Sequence, residues 1–287
     1  MAQNVNLRSK KVSSLNIKTM LNKFTIYQYV ISFLLILTLV SVFFYDFGVN
    51  ALIPVIISII TTTLLDLAIN YFKYKKIEFP QSALISGLFI GGLLTQNLQW
   101  YVYVLAGTVA ILSKHLINYN KKHIFNPANL GILLTSVIFG AFHSWWISSP
   151  KLLVVLFGLF IVWRLKRFDL MLGFLLTYYI ASSFIEVPRS MMEHHSYMMA
   201  YQNVYLSLIG GSVIYFFAMF MLVEPKTNPT SGKKQRIIYG IFVALLFILL
   251  QFFIPQHAIV LALAIGNLFV PVLDKIRLSF PGSQKSI

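Results

Sequence analysis

The chain has 287 residues, of which 58% are hydrophobic and only 11% charged, with mean hydropathy +0.77. That is more apolar surface than a soluble fold of this size can hide, which excludes an ordinary soluble protein. The net charge of +15 would suggest nucleic acid in a soluble chain, but here its distribution along the sequence has a different cause, and no nucleic-acid partner is expected. The absence of cysteine excludes disulfides, thiolate zinc sites and Cys-ligated iron–sulfur clusters.

In chain order, residues 1–24 read as a polar, basic arm, and residues 25–275 as a polytopic membrane domain. The first apolar run is too long for a signal-peptide core and no small-residue cleavage site follows it, so it is expected to be retained as a span. A span needs roughly 20 apolar residues. About ten are expected, near 25–45, 49–71, 81–96, 98–117, 127–143, 148–163, 168–185, 203–223, 235–253 and 256–273. The third and fifth are short and each begins beside a proline, Pro80 or Pro127.

Charge then sets the orientation. With the N-terminus inside, alternate loops gather Lys73, Lys75 and Lys76, then Lys114, Lys121 and Lys122, then Arg164, Lys166 and Arg167, then Lys226, Lys233, Lys234 and Arg236, and finally Lys275 and Arg277. Only Lys151 and Arg189 fall on the other side. This asymmetry predicts cytoplasmic termini, with residues 276–287 as a cytoplasmic tail. The lack of cleavable targeting points to a prokaryotic plasma membrane. The longest outside loop, Glu186 to Asn203, is rich in Met and His. Copper is one reading of it, but no spaced ligand pair stands out, so an interfacial loop is expected and no metal site.

Candidate functional positions are few. His123-Ile124-Phe125-Asn126-Pro127-Ala128-Asn129-Leu130-Gly131 starts a helix, with Asn126 suited to the N-cap and Pro127 to the first turn. A helix N-terminus beside Lys114, Lys121 and Lys122 attracts anionic groups, although the same residues also read simply as a helix start. Gly87 and Gly91 have the spacing that lets another helix, or a flat ligand, approach closely. Asp66 lies in the second span, about a turn from its cytoplasmic end; pairing with Lys73 or Lys75 is expected ahead of a relay role. Asp169 reads as an acidic first-turn residue. The loop Glu224-Pro225-Lys226-Thr227 onward is polar but is not a P-loop, and no catalytic triad, zinc motif or dinucleotide fingerprint is present. Ser82-Ala83-Leu84-Ile85-Ser86-Gly87 in the third span and Leu206-Ser207-Leu208-Ile209-Gly210-Gly211 in the eighth occupy equivalent places in two five-span halves.

Three stretches carry a family resemblance: Ser82 to Gly87; Ser113-Lys114-His115 through His123 to Gly131; and Glu224 to Thr227 through Tyr239-Gly240. The chain resembles RnfD, a membrane protein of the Rnf electron-transport complex, and, more distantly, NqrB of the sodium-translocating NADH:quinone oxidoreductase. The resemblance implies an all-α fold of ten transmembrane helices in two inverted five-helix repeats, a plan similar to urea transporters, here about 25–143 and 148–275. It implies flavin-linked electron transfer coupled to Na⁺ or H⁺ translocation, with other membrane and peripheral subunits as partners. Residues expected against the flavin are Ser82, Ser86, Gly87, Lys114, Phe125, Asn126, Pro127, Asn129, Glu224 and Thr227. Family members with covalent FMN carry a Ser-Gly-Ala-Thr-like motif before the eighth span. Here Glu186 to Asn203 holds no threonine, which argues against a phosphoester-linked FMN and for FMN or riboflavin held non-covalently. A donor-independent solute channel or carrier on the same scaffold, and a membrane anchor for a partner enzyme, are the alternatives.

Overall fold

The computed structural model describes residues 24–75, 77–120, 122–194, 198–199, 202, 205–206, 210–230 and 232–276. Among them the regular structure is helical apart from one two-residue hairpin, Asn118–Tyr119 (β1) against Lys122–His123 (β2). Ten helices follow one another: α1 (Ile26–Phe44), α2 (Leu52–Tyr74), α3 (Gln81–Leu93), α4 (Trp100–Leu116), α5 (Pro127–Phe139), α6 (Lys151–Leu165), α7 (Phe168–His194), α8 (Ser212–Phe216, continued as a π-helix through Met221), α9 (Lys233–Gln251) and α10 (Ala258–Lys275). Five of these are long and apolar enough to cross a membrane, while α3, α5 and α8 are shorter apolar helices. The protein is a multi-pass, all-α membrane protein.

Local sequence accounts for the helix ends. Thr25 and Gln28 form a capping box at the start of α1. Asn126 caps α5 by accepting from Asn129 N–H, and Pro127 occupies its first turn. Lys75 and Lys166 end α2 and α6 in the left-handed conformation. The third span stops at Leu93 rather than 96, and the fifth at Phe139 rather than 143. Gly140, with φ +62°, turns the chain so that Leu94 and His143 pair as an isolated bridge that closes both short helices together. The loop expected from Glu186 instead continues α7 as helix to His194, with Pro188 inside it. A helix can persist past the bilayer where water satisfies the bond the proline removes. His195, and residues 203–204 and 207–209 of the eighth span predicted from 203, lie outside the described residues.

Glycine sets how closely the helices meet. A Cβ on Gly91 would lie 2.4 Å from Val55 Cα, one on Gly87 2.6 Å from Ile59 Cα, and one on Gly240 2.6 Å from Leu170 O. The small-residue face of α3 is therefore spent on backbone contact with α2, as expected where lipid offers no hydrophobic drive between helices. In the same way α2 packs on α4 and α7 on α9, α4 on α5 and α9 on α10, and α1 on α3 and α6 on α8. Across the middle, α1 meets α6 and α5 meets α10. Phe33 and Phe157 stack at 4.3 Å in the first of these contacts.

Gly91→Ala should lower the thermal midpoint of the detergent-solubilised protein, at a cost of about 1–3 kcal/mol, because backbone must move. Gly210→Ala, which would meet nothing within 4 Å, should stay within about 0.5 kcal/mol. The natural chain has no cysteine, so single-cysteine variants report sidedness cleanly. A membrane-impermeant thiol reagent should reach Lys75→Cys and Lys226→Cys from one side and Asn97→Cys from the other.

Candidate functional site

Hydrogen bonds tie one set of helix ends together. Thr25 at the start of α1 reaches Gln81 at the start of α3, at 3.5 Å. Lys114 at the end of α4 donates to both oxygens of Asp66, at 3.0 and 3.1 Å, and His115 Nε2 lies 2.7 Å from Asp66 Oδ1. His123 Nε2 lies 3.1 Å from Glu224 Oε1, bridging the two halves of the chain. Arg236 Nε donates to Asp169 at 2.8 Å, and Thr230 N–H to Asp274 at 2.9 Å. The opposite ends are joined by Trp146 Nε1 donating to Gly91 O at 3.0 Å and by the Ser148–Ser212 hydroxyl pair.

The pairing of Asp66 corrects the sequence expectation. Lys73 and Lys75, its neighbours along the helix, stand over the rings of Tyr74 and Tyr71 instead. Asp66 faces inward at 2% exposure, where Asn70 of its own helix and Lys114 and His115 of the adjacent helix reach it. Burial makes this pair consequential, because removing one member leaves a charge uncompensated.

The most informative junction joins α5 to α10. Asn129 Nδ2 donates to Val260 O at 2.8 Å. With its amide oriented to suit its neighbours, Asn267 donates to Tyr239 Oη at 2.9 Å and Leu263 O at 2.8 Å, and accepts from the Asn126 N–H at 2.8 Å. Asn126, Asn129 and Asn267 are all buried. Asn267 sits near the middle of α10, so the N-terminal tip of α5 begins partway through the bundle rather than at its surface. At 13 residues, α5 is only about 20 Å long.

Beside that tip lies a cavity of about 90 Å³. Its walls come from α1 (Ile26, Tyr27, Val30), α3 (Ser82, Ile85, Ser86, Phe89), α6 (Ile161, Leu165) and α8 (Phe220), closed by Asn126, Pro127, Glu224 and Pro225. Ser82, Ser86, Asn126, Pro127 and Glu224, singled out in the sequence, thus share one space. The other five do not line it. Gly87 faces α2, Lys114 is held by Asp66, Phe125 packs half-buried on the core, Asn129 is bonded to α10, and Thr227 donates to Glu224 at 3.3 Å. Sequence reasoning missed the α1 and α6 walls and Asn267. A lone asparagine within an apolar helix was a legible signal for the last, since such a residue seeks an interhelical partner.

A second cavity of about 230 Å³ lies against the β1–β2 hairpin, the 226–230 loop and α10. Its lining includes the polar side chains of Lys122, His123, Lys226, Thr227, Asn267 and Asp274. His123 of this lining contacts Glu224 of the first, and Asn267 accepts from Asn126.

The sequence matches the profile of the family described as NQR2, RnfD, RnfE over residues 13–151 and 147–279. Over 77 residues it is 35% identical to the Na(+)-translocating NADH-quinone reductase B-subunit of Chlamydia felis and 32% identical to that of Chlamydia caviae. Each alignment covers 26% of this chain and 14% of the relative, so only a small part of the curated proteins' length is represented.

Asp66→Ala should destabilise the protein by about 3–5 kcal/mol, as for a broken buried pair. Adding Lys114→Leu should recover part of that loss; a double-mutant cycle on the unfolding free energy would measure the coupling.

Proposed function

The chain belongs to the NQR2, RnfD, RnfE family, and we propose that it serves as a membrane subunit of an electron-transport complex that moves Na⁺ or H⁺, with the cavity at the α5 tip holding a flavin non-covalently. The observation that carries this reading is the convergence of Ser82, Ser86, Asn126, Pro127 and Glu224, from three distant stretches, on that one space.

The lining suits a flavin in chemistry. Ile85, Phe89, Ile161 and Phe220 give apolar walls, while Ser82, Ser86 and Glu224 supply a polar edge. Ser86 Oγ donates to Ser82 O at 3.1 Å and keeps its lone pairs for a ligand N–H. The enclosed 90 Å³ takes only part of a tricyclic ring, so the remainder would project past half-exposed Tyr27. A bound flavin would accept and pass on electrons; the protein's residues orient it and keep water from its buried face.

The paired helix contacts support two inverted repeats, about 25–143 and 148–275. Under a two-fold relation each helix meets its counterpart's neighbours, and α1–α6 and α5–α10 are the self-paired contacts. The positive-inside asymmetry supports cytoplasmic termini in a prokaryotic plasma membrane, with the flavin cavity near the cytoplasmic end. Peripheral and membrane subunits of the complex would be its partners. The His123–Glu224 contact joins the linings of the two cavities, which favours, as a second reading, a donor-independent path for a small solute on the same scaffold.

Protein purified in mild detergent should carry near-stoichiometric flavin, seen as a visible band bleached by dithionite and released intact on heat denaturation. Ser86→Leu should remove most of that band, while Lys122→Ala should leave it. A folded, colourless wild-type preparation would overturn the flavin reading, and liposome uptake without an electron donor would favour the second.

A further inference from the structure

The end of α6, the α6–α7 turn and the start of α9 form a corner away from the sites above. Trp163, Arg164, Lys166, Phe168, Asp169 and Lys233 line an open cavity of about 470 Å³ there. The one acid of that lining is already engaged: Asp169 accepts from Arg236 Nε at 2.8 Å and from Leu170 N–H at 2.9 Å. Arg164, Lys166 and Lys233 have no ion-pair partner among the described residues.

The two aromatic walls lead away from this charge into lipid. Trp163 continues an exposed stripe on α6 through Leu159, Leu156 and Leu152, and Phe168 one on α7 through Leu172, Leu176 and Ile180. We propose that this corner binds an anionic phospholipid, its phosphodiester headgroup held by Arg164, Lys166 and Lys233 and its acyl chains lying along the α6 and α7 stripes. A free phosphate would meet the same cations but make no use of the aromatic walls or the apolar stripes. Basic pockets between helices at a membrane surface recognise such headgroups, and an interfacial Trp marks the level at which they lie. The site is independent of whether the protein holds a flavin.

Native mass spectrometry of the detergent-solubilised protein, titrated with phosphatidylglycerol or phosphatidylcholine, tests this. The wild type should prefer phosphatidylglycerol. The triple variant Arg164→Gln/Lys166→Gln/Lys233→Gln should lose that affinity by at least ~tenfold, given the attraction of each surface cation. Lys73→Gln/Lys75→Gln/Lys122→Gln, at the same end of the bundle, should change it less than about twofold. An equal loss in both triples would mean a diffuse surface charge and overturn the site. No preference over phosphatidylcholine, or displacement of the lipid by an equal concentration of glycerol phosphate, would overturn it too. Should the first triple variant fail to fold, Lys166→Glu alone is read in the same way, and wild-type affinity in it overturns the proposal.

Discussion

A helix that starts inside a bilayer-embedded bundle exposes its first backbone amides where no bulk water can bond them. That constraint organises this protein at the tip of α5. Asn126 answers it twice, with its side chain taking the Asn129 amide and its own N–H given to Asn267 on α10. Asn129 adds a bond to Val260 O. An unsatisfied backbone amide at that depth would cost several kcal/mol, which these bonds avoid at the Asn126 and Asn129 N–H groups.

The remaining architecture follows from having fixed that tip. The β1–β2 hairpin and the 224–230 loop pass beneath it, and His123 and Glu224 join them. The glycine faces of α3 and α9 bring backbones close enough for dispersion to hold them, since lipid tails are as apolar as the side chains. The buried ion pair of Asp66 contributes geometry more than net stability, because desolvation offsets much of the attraction.

The cavity at the α5 tip and the cationic corner share the last two turns of α6. Ile161 and Leu165 face the cavity, while Trp163, Arg164 and Lys166 face the corner. A lipid seated on the outer side would therefore hold in place the wall that a ligand on the inner side touches.

Composition and apolar periodicity by themselves determined the membrane class, the ten helices and most of their limits, because lipid demands long apolar runs and lysine marks where they stop. Asn126, Pro127 and Asp169 were equally legible, since capping is settled within one turn. What only the tertiary structure decided is which distant groups meet. Asp66 took Lys114 and His115 rather than Lys73 or Lys75, because the inward face of α2 looks onto α4. Gly87 packs against the α2 backbone, and Lys114 pairs with Asp66. α1 and α6 supplied cavity walls whose ordinary apolar residues carry no local mark of that use. Spacing along one chain fixes neighbours within a helix; contacts between helices depend on how whole faces fit, and no short stretch encodes that.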